Sequence, residues 1–297
     1  MVDQKKVEQY FDVLNEACVY LFENCKYDYM TSLLAITDSI FNGDITFDLD
    51  NSLVDGFVHI MKKLDQGYNQ EEVRKALQFL ILNALKETKN INTITPDTIA
   101  FIFNYFVDKI FKDKEITILD PLVGSANLLA AIGNNHQNCQ LYGIDDDELM
   151  IKLASMMSNM VNLDMTFYNQ DTFMVRVSNV DLIVSDVIND VDFTYKFINH
   201  YKNVLKDDGY MILLINNEFF NTDSELKNEI NQEMSMLGLI ELPNEFFVGT
   251  KKSIVLMKKT SKRVKEFLLA TMPSVKDMGA LNDFLSQIEQ WFKKESI

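Results

Sequence analysis

Four expected strands in succession run into an aspartate. Residues 116–119 lead into Asp120, 141–144 into Asp145, 166–170 into Asp171, and 182–185 into Asp186. One such aspartate is an ordinary turn or cap residue. Four in succession point to a shared use, because ligands of an open α/β sheet bind outside the carboxyl ends of its strands. The loop after the first run is the most specific piece: Asp120-Pro121-Leu-Val-Gly124-Ser125-Ala126-Asn127-Leu-Leu. It lacks the Gly-x-Gly-x-x-Gly pattern that cradles a pyrophosphate, and a carboxylate beside it repels phosphate. The loop therefore suits a ligand with an amino group or positive charge and no phosphate. S-adenosylmethionine (SAM) has that chemistry: an ammonium, a sulfonium and a ribose diol.

The elements that must position these residues fall into two textures. Residues 5–24 place Val7, Tyr10, Phe11, Leu14, Cys18, Leu21 and Phe22 at helical spacing. Residues 28–42 and 52–64 do so more loosely, and 71–87 more cleanly. This front contains no convincing strand and reads as a small helical domain, residues 1–90. After a polar break at 89–93, Thr95-Pro96-Asp97 reads as N-cap, first helical residue and first-turn acid. Short apolar runs then alternate with helical stretches, with strands expected at 116–119, 140–144, 165–168, 180–185, 210–215, 236–241 and 253–258. Lys206-Asp-Asp-Gly209 reads as a turn before the fifth strand. That alternation predicts an α/β domain over 91–297: seven strands, mainly parallel, with an antiparallel edge formed by the last pair. The tail at 280–293, with Phe284, Ile288 and Trp291, reads as a docking helix.

The chain has 297 residues, 47% of them apolar, so two domains of about 150 residues are a reasonable prior and global disorder is excluded. Its 44 acidic against 28 basic residues give a net charge of −16, opposite in sign to a globally basic nucleic-acid binder. The strong basic cluster is local: Lys251, Lys252, Lys258, Lys259, Lys262, Arg263 and Lys265. It is read as a solvated strand edge or as a weak DNA-binding patch. Cys18, Cys25 and Cys139 form no Cys-x-x-Cys, and His59, His136 and His200 are scattered, so reduced thiols, a cytoplasmic setting and no metal site are expected. The longest apolar run, Met211–Ile215, is far short of a membrane span.

Asp120-Pro121-x-x-Gly124-x-Ala126-Asn127-Leu-Leu resembles motif I of class I SAM-dependent methyltransferases. It looks most like that of adenine-specific (N6) DNA methylases related to the modification subunits of type I restriction systems. Other blocks follow in that family's order across roughly residues 90–260. Thr95-Pro96 resembles the Thr-Pro motif, implying contact with the methionine end of SAM. Gly143-Ile-Asp145 resembles motif II, whose acid holds the ribose hydroxyls. Asn169-Gln-Asp171 resembles motif III, whose acid contacts the adenine amine. Residues 205–212 and 238–247 also find counterparts. The resemblance implies a Rossmann-like methyltransferase sheet, with Gly124, Ser125 and Asn127 beside the cofactor. With its helical front and Trp291 tail, the chain looks closest to a short, stand-alone group from Gram-positive bacteria.

The family's catalytic motif IV is (Asn/Asp)-Pro-Pro-(Tyr/Phe). In it the acid or amide accepts the substrate amine, and the aromatic stacks on a flipped base. Here 181–185 match the lead-in, but the next residues are Asp186-Val-Ile-Asn189. Asp186 is the one candidate catalytic residue, and Phe193 or Tyr195 are candidate stand-ins for the aromatic. The expectation is a methyltransferase acting on an exocyclic or side-chain amine, by resemblance N6 of adenine in DNA. The alternative is an inactive SAM-binding pseudo-methyltransferase, a sensor whose helical front meets a protein partner.

Overall fold

The computed structural model describes residues 2–64, 67–86, 94–174, 177–187, 190–222, 224–247, 249–262 and 266–295. Ile188, Asn189, Arg263, Lys265 and the polar break at 89–93 lie outside them. The strands are β1 (Ile116–Asp120), β2 (Cys139–Asp145), β3 (Met165–Asn169), β4 (Val180–Asp186), β5 (Leu205–Asn216), β6 (Met234–Glu241), β7 (Lys252–Lys259) and β8 (Leu268–Thr271). The sheet order is β3-β2-β1-β4-β5-β7-β6-β8. The order reverses at β1, so β1 and β4 flank the switch point, the place where open α/β sheets bind ligands.

The chain forms two compact units. The first takes in residues 1–95, 123–137 and 145–169. Its helices α1 (Gln4–Cys25), α2 (Tyr29–Asn42), α3 (Asn51–Met61) and α4 (Gln70–Leu85) start where polar side chains satisfy free backbone N–H groups. Asp3, Asp28 and Asp50 cap the first three. Asn69 and Glu72 form a reciprocal capping box on α4. α1 packs on α2, α3 and α4, burying Leu14, Leu21, Leu77 and Leu80 completely. α4 also packs on α6 (Asn127–Gly133) and α7 (Glu148–Met160). Burial pushes the Cys18 thiol up to about 12, which leaves it inert.

The second unit comprises residues 96–122, 138–144 and 170–297. Helix α5 (Asp97–Phe111) opens one residue later than expected: Pro96 is its N-cap and makes no side-chain cap bond. β1 pairs parallel with β2 and β4, and β4 with β5. Residues 206–209 lie within β5 and not in a turn before it. The register shift between Val180 and Leu182, with Asp208 at φ +61°, absorbs them as a bulge. β7 runs antiparallel between β5 and β6, so the expected edge pair is internal. The edge is an eighth strand, β8, parallel to β6. Four residues carry too little pattern to mark it in the sequence. The terminal helix α10 (Met278–Glu295) docks through Phe284, Ile288, Trp291 and Phe292. Trp291 Nε1 donates to the Glu266 carbonyl at 2.8 Å.

Gly238 sits beside the bulge in β6, facing β8. A Cβ there would lie 2.9 Å from Leu268 Cβ, a distance real side chains do not adopt. Gly238→Val is expected to destabilise the chain by about 1–3 kcal/mol, as overpacked cores do. Urea unfolding checks it, and an unchanged midpoint would show that β8 is free to move aside.

Candidate functional site

The first unit carries the glycine loop. Gly124 lies at φ +51° and Ala126 at φ +60°. The second is uncommon for a residue with a Cβ, and such local strain gathers at binding loops. Gly124 N–H donates to Asp145 Oδ2 at 2.9 Å, and Asp147 N–H to Asp145 Oδ1 at 3.0 Å. Burial pushes the Asp145 carboxyl above its ordinary range, against the lowering effect of these two bonds. Each carboxylate oxygen keeps a lone pair for a further donor, such as a diol hydroxyl. Ser125 Oγ is buried with no hydrogen-bond partner. Asn127 Nδ2 donates to the Thr95 carbonyl at 3.1 Å, and both residues are buried. The structure thus brings together Gly124 with Asp145, and Asn127 with Thr95.

The second unit carries the other expected acids. Asp120 is 2% exposed. Its Oδ1 accepts from Leu122 N–H at 3.1 Å and from Ser185 Oγ at 2.9 Å, tying the ends of β1 and β4 together. The Pro121 carbonyl accepts from Thr172 Oγ1 at 2.7 Å. Asp171 is exposed and accepts from Phe173 N–H at 2.8 Å. Asp186 ends β4, but its Oδ1 accepts from Lys252 Nζ at 3.0 Å, with the two side chains only 11% and 10% exposed. The same ammonium lies 4.5 Å from the centre of the Phe247 ring. Lys252, read from the sequence only as part of the basic cluster, is instead the buried partner of Asp186. The available signal was its place two residues before the apolar run Ile254-Val-Leu-Met257, at the start of a strand that proves buried over 252–257.

The stand-ins for the lost aromatic differ in availability. Tyr195 is core: it stacks on Phe219 at 4.3 Å and donates to the carbonyls of Phe219 and Thr222. Phe193 is half-buried, edge-on to Phe173 at 5.4 Å. Within the basic cluster, Lys258 pairs with Asp208 at 2.9 Å and Lys259 donates to the Leu205 carbonyl at 2.9 Å, while Lys251 and Lys262 are exposed.

The strand order and the glycine loop with its acid are those of a SAM-dependent methyltransferase fold. The chain belongs to the methyltransferase domain family, whose model matches residues 112–272. The YtxK N-terminal helical domain matches residues 8–85. The protein YtxK of Bacillus subtilis, which is uncharacterized, is 28% identical over 96% of this chain and 97% of its own. A crystal structure from Listeria monocytogenes, assigned to the class I SAM-dependent methyltransferases, is 25% identical. It superposes with a TM-score of 0.86 over 98% of this chain and all of that one. The methyltransferase subunit of a type I restriction-modification system from Streptococcus thermophilus shares the fold at 16% identity. Its TM-score is 0.63, over 96% of this chain and 74% of that one. The cofactor of this family and fold is SAM. The residues fit it: an acid held against the glycine loop, and an orphaned hydroxyl at Ser125. Among the described residues no helix is long and apolar enough to cross a membrane.

Proposed function

We propose that this chain binds SAM and uses it as a signal, with its methyl-acceptor side closed. Asp145 is the acceptor for the ribose hydroxyls, and Gly124, Ser125, Asn127 and Thr95 form the rest of the cradle in the first unit. Pro96, Asp120, Pro121 and Asp171 are the further cofactor-binding candidates. Bound SAM supplies an electrophilic methyl group. The observation that carries the reading is the Asp186–Lys252 pair. In the intact motif the acid accepts the substrate's amine, and here a resident ammonium takes that role. An incoming neutral amine must displace a charge-assisted bond in a nearly dry site. The family's second means of holding a base, an aromatic three residues after the acid, is replaced in the sequence by Asn189.

A second reading has support of its own. Asp186 still ends a strand at the switch point, which favours methyl transfer to an amine, N6 of adenine in DNA being the family's acceptor. Calorimetry and labelled SAM separate the two. We expect saturable SAM binding and no label on DNA, RNA or lysate protein. Label that appears on any of these and is lost in Asp186→Ala overturns the sensor reading. No binding at millimolar SAM overturns both. Partners follow the same division: a protein on the helical front for the sensor, and weak DNA binding through 251–265 for the enzyme. Lys251→Glu with Lys262→Glu weakens DNA binding only in the second case.

A further inference from the structure

Arg74, in the middle of α4, is 1% exposed. A guanidinium that deep must have its donors satisfied. Its Nε and Nη2 donate to the two oxygens of Glu71, at 2.8 and 2.6 Å, in a bidentate fork. Its Nη1 donates to Asn127 Oδ1 at 2.6 Å, across 53 residues of chain. Asn127 is the asparagine of the glycine loop and the first residue of α6. With its oxygen taken by Arg74, its amide has one remaining orientation, and Nδ2 turns to the Thr95 carbonyl. Glu71 Oε2 also accepts from Asn134 Nδ2 at 3.0 Å, at the other end of α6. The Glu71–Arg74 pair therefore grips α6 at both ends, directly after the strained Gly124–Ala126 turn.

We propose that Arg74 is a positioning residue for SAM: it fixes the Asn127 amide, and through it the Thr95 carbonyl and the seating of the glycine loop. The helical front is on this account part of the cofactor machinery. The inference rests on the SAM-binding reading above and deepens it. A helix that only covered the loop needs apolar residues alone. A buried arginine forked on Glu71, whose Nη1 donates to Asn127 at 2.6 Å and more loosely to Gln78 Oε1 at 3.4 Å, adds orientation, which ligand sites require within a fraction of an ångström.

The test measures SAM affinity by calorimetry on the full chain. If the wild type does not bind, the parent reading fails and the inference with it. If it binds, Arg74→Lys is expected to weaken SAM about tenfold or more, since an ammonium cannot reproduce the fork. Asn127→Asp keeps an acceptor for Arg74 and loses the donor to Thr95, and is expected to weaken SAM comparably. Combined, the two losses are less than additive, because one relay carries both. Leu77→Ala, a fully buried apolar neighbour on the same helix, lowers the melting midpoint and leaves the affinity of the folded protein unchanged. The inference is overturned if the wild type binds and Arg74→Lys binds equally well, or if Leu77→Ala weakens SAM as much as Arg74→Lys does. Should Arg74→Lys not fold, Asn127→Asp decides alone: wild-type affinity overturns the relay.

Discussion

Replacing Lys252 with methionine lowers stability by roughly 3–5 kcal/mol, the range for removing one partner of a buried ion pair. The methionine preserves most of the side chain's volume, so the cost comes from Asp186, left charged and little exposed at the end of β4. Lys252 also lies over the Phe247 ring, a contact worth ~0.5–2 kcal/mol that is lost in the same variant. Removing both charges, with Asp186→Leu added, recovers most of the loss, because two desolvation penalties vanish with one attraction. Urea unfolding of the four proteins in the cycle measures this. A single-variant loss under ~1 kcal/mol would mean that the pair behaves as a surface bridge. It would also remove the argument that the acceptor side is closed.

Asp145→Ala is expected to weaken SAM about 30- to 100-fold, since hydrogen bonds to a charged acceptor are worth ~1.5–3 kcal/mol each. The loop loses the partner of Gly124 N–H at the same time. The same carboxyl sets a pH dependence. Its pKa in the folded chain is raised, with burial the largest cause. A raised acid takes up its proton more readily folded than unfolded, so acidification from neutral adds stability through this group while it removes the carboxylate we propose as the acceptor of the ribose diol. Affinity for SAM therefore falls on acidification, and at a higher pH than an ordinary aspartate would give. Asp145→Asn binds more weakly and without that slope. Parallel pH profiles in the two proteins would show that another group titrates.

The residues legible in the sequence are those whose work is local. Asp120 and Asp145 each end a strand and hold backbone N–H groups within a few residues or in the neighbouring loop. Gly124 marks a turn that needs a left-handed residue. The helical front was readable because its apolar stripes and caps repeat at fixed spacing. The Lys252–Asp186 and Arg74–Asn127 contacts were hidden because they span 66 and 53 residues, and a lysine or arginine in one dimension looks solvated. Glu71, Arg74 and Gln78 do share one helix face, a local hint of a buried polar relay. Residues 206–209 misled because Lys-Asp-Asp-Gly is turn chemistry, and a bulge uses the same residue types as a turn. β8 was missed because its identity comes from pairing with β6, not from its own four residues.

The antiparallel insertion of β7 between β5 and β6 also sets a timetable. β5 is complete once residue 216 has been made, yet its far edge is paired by residues 252–258. At about 5–20 residues per second of synthesis, seconds pass in which a 12-residue strand, apolar over 210–215, shows an open edge. Asp186 has no lysine during the same interval. The nascent chain is thus most exposed to wrong strand pairing while residues 217–258 are being made, and the segment that ends that exposure is the one that brings Lys252 to Asp186.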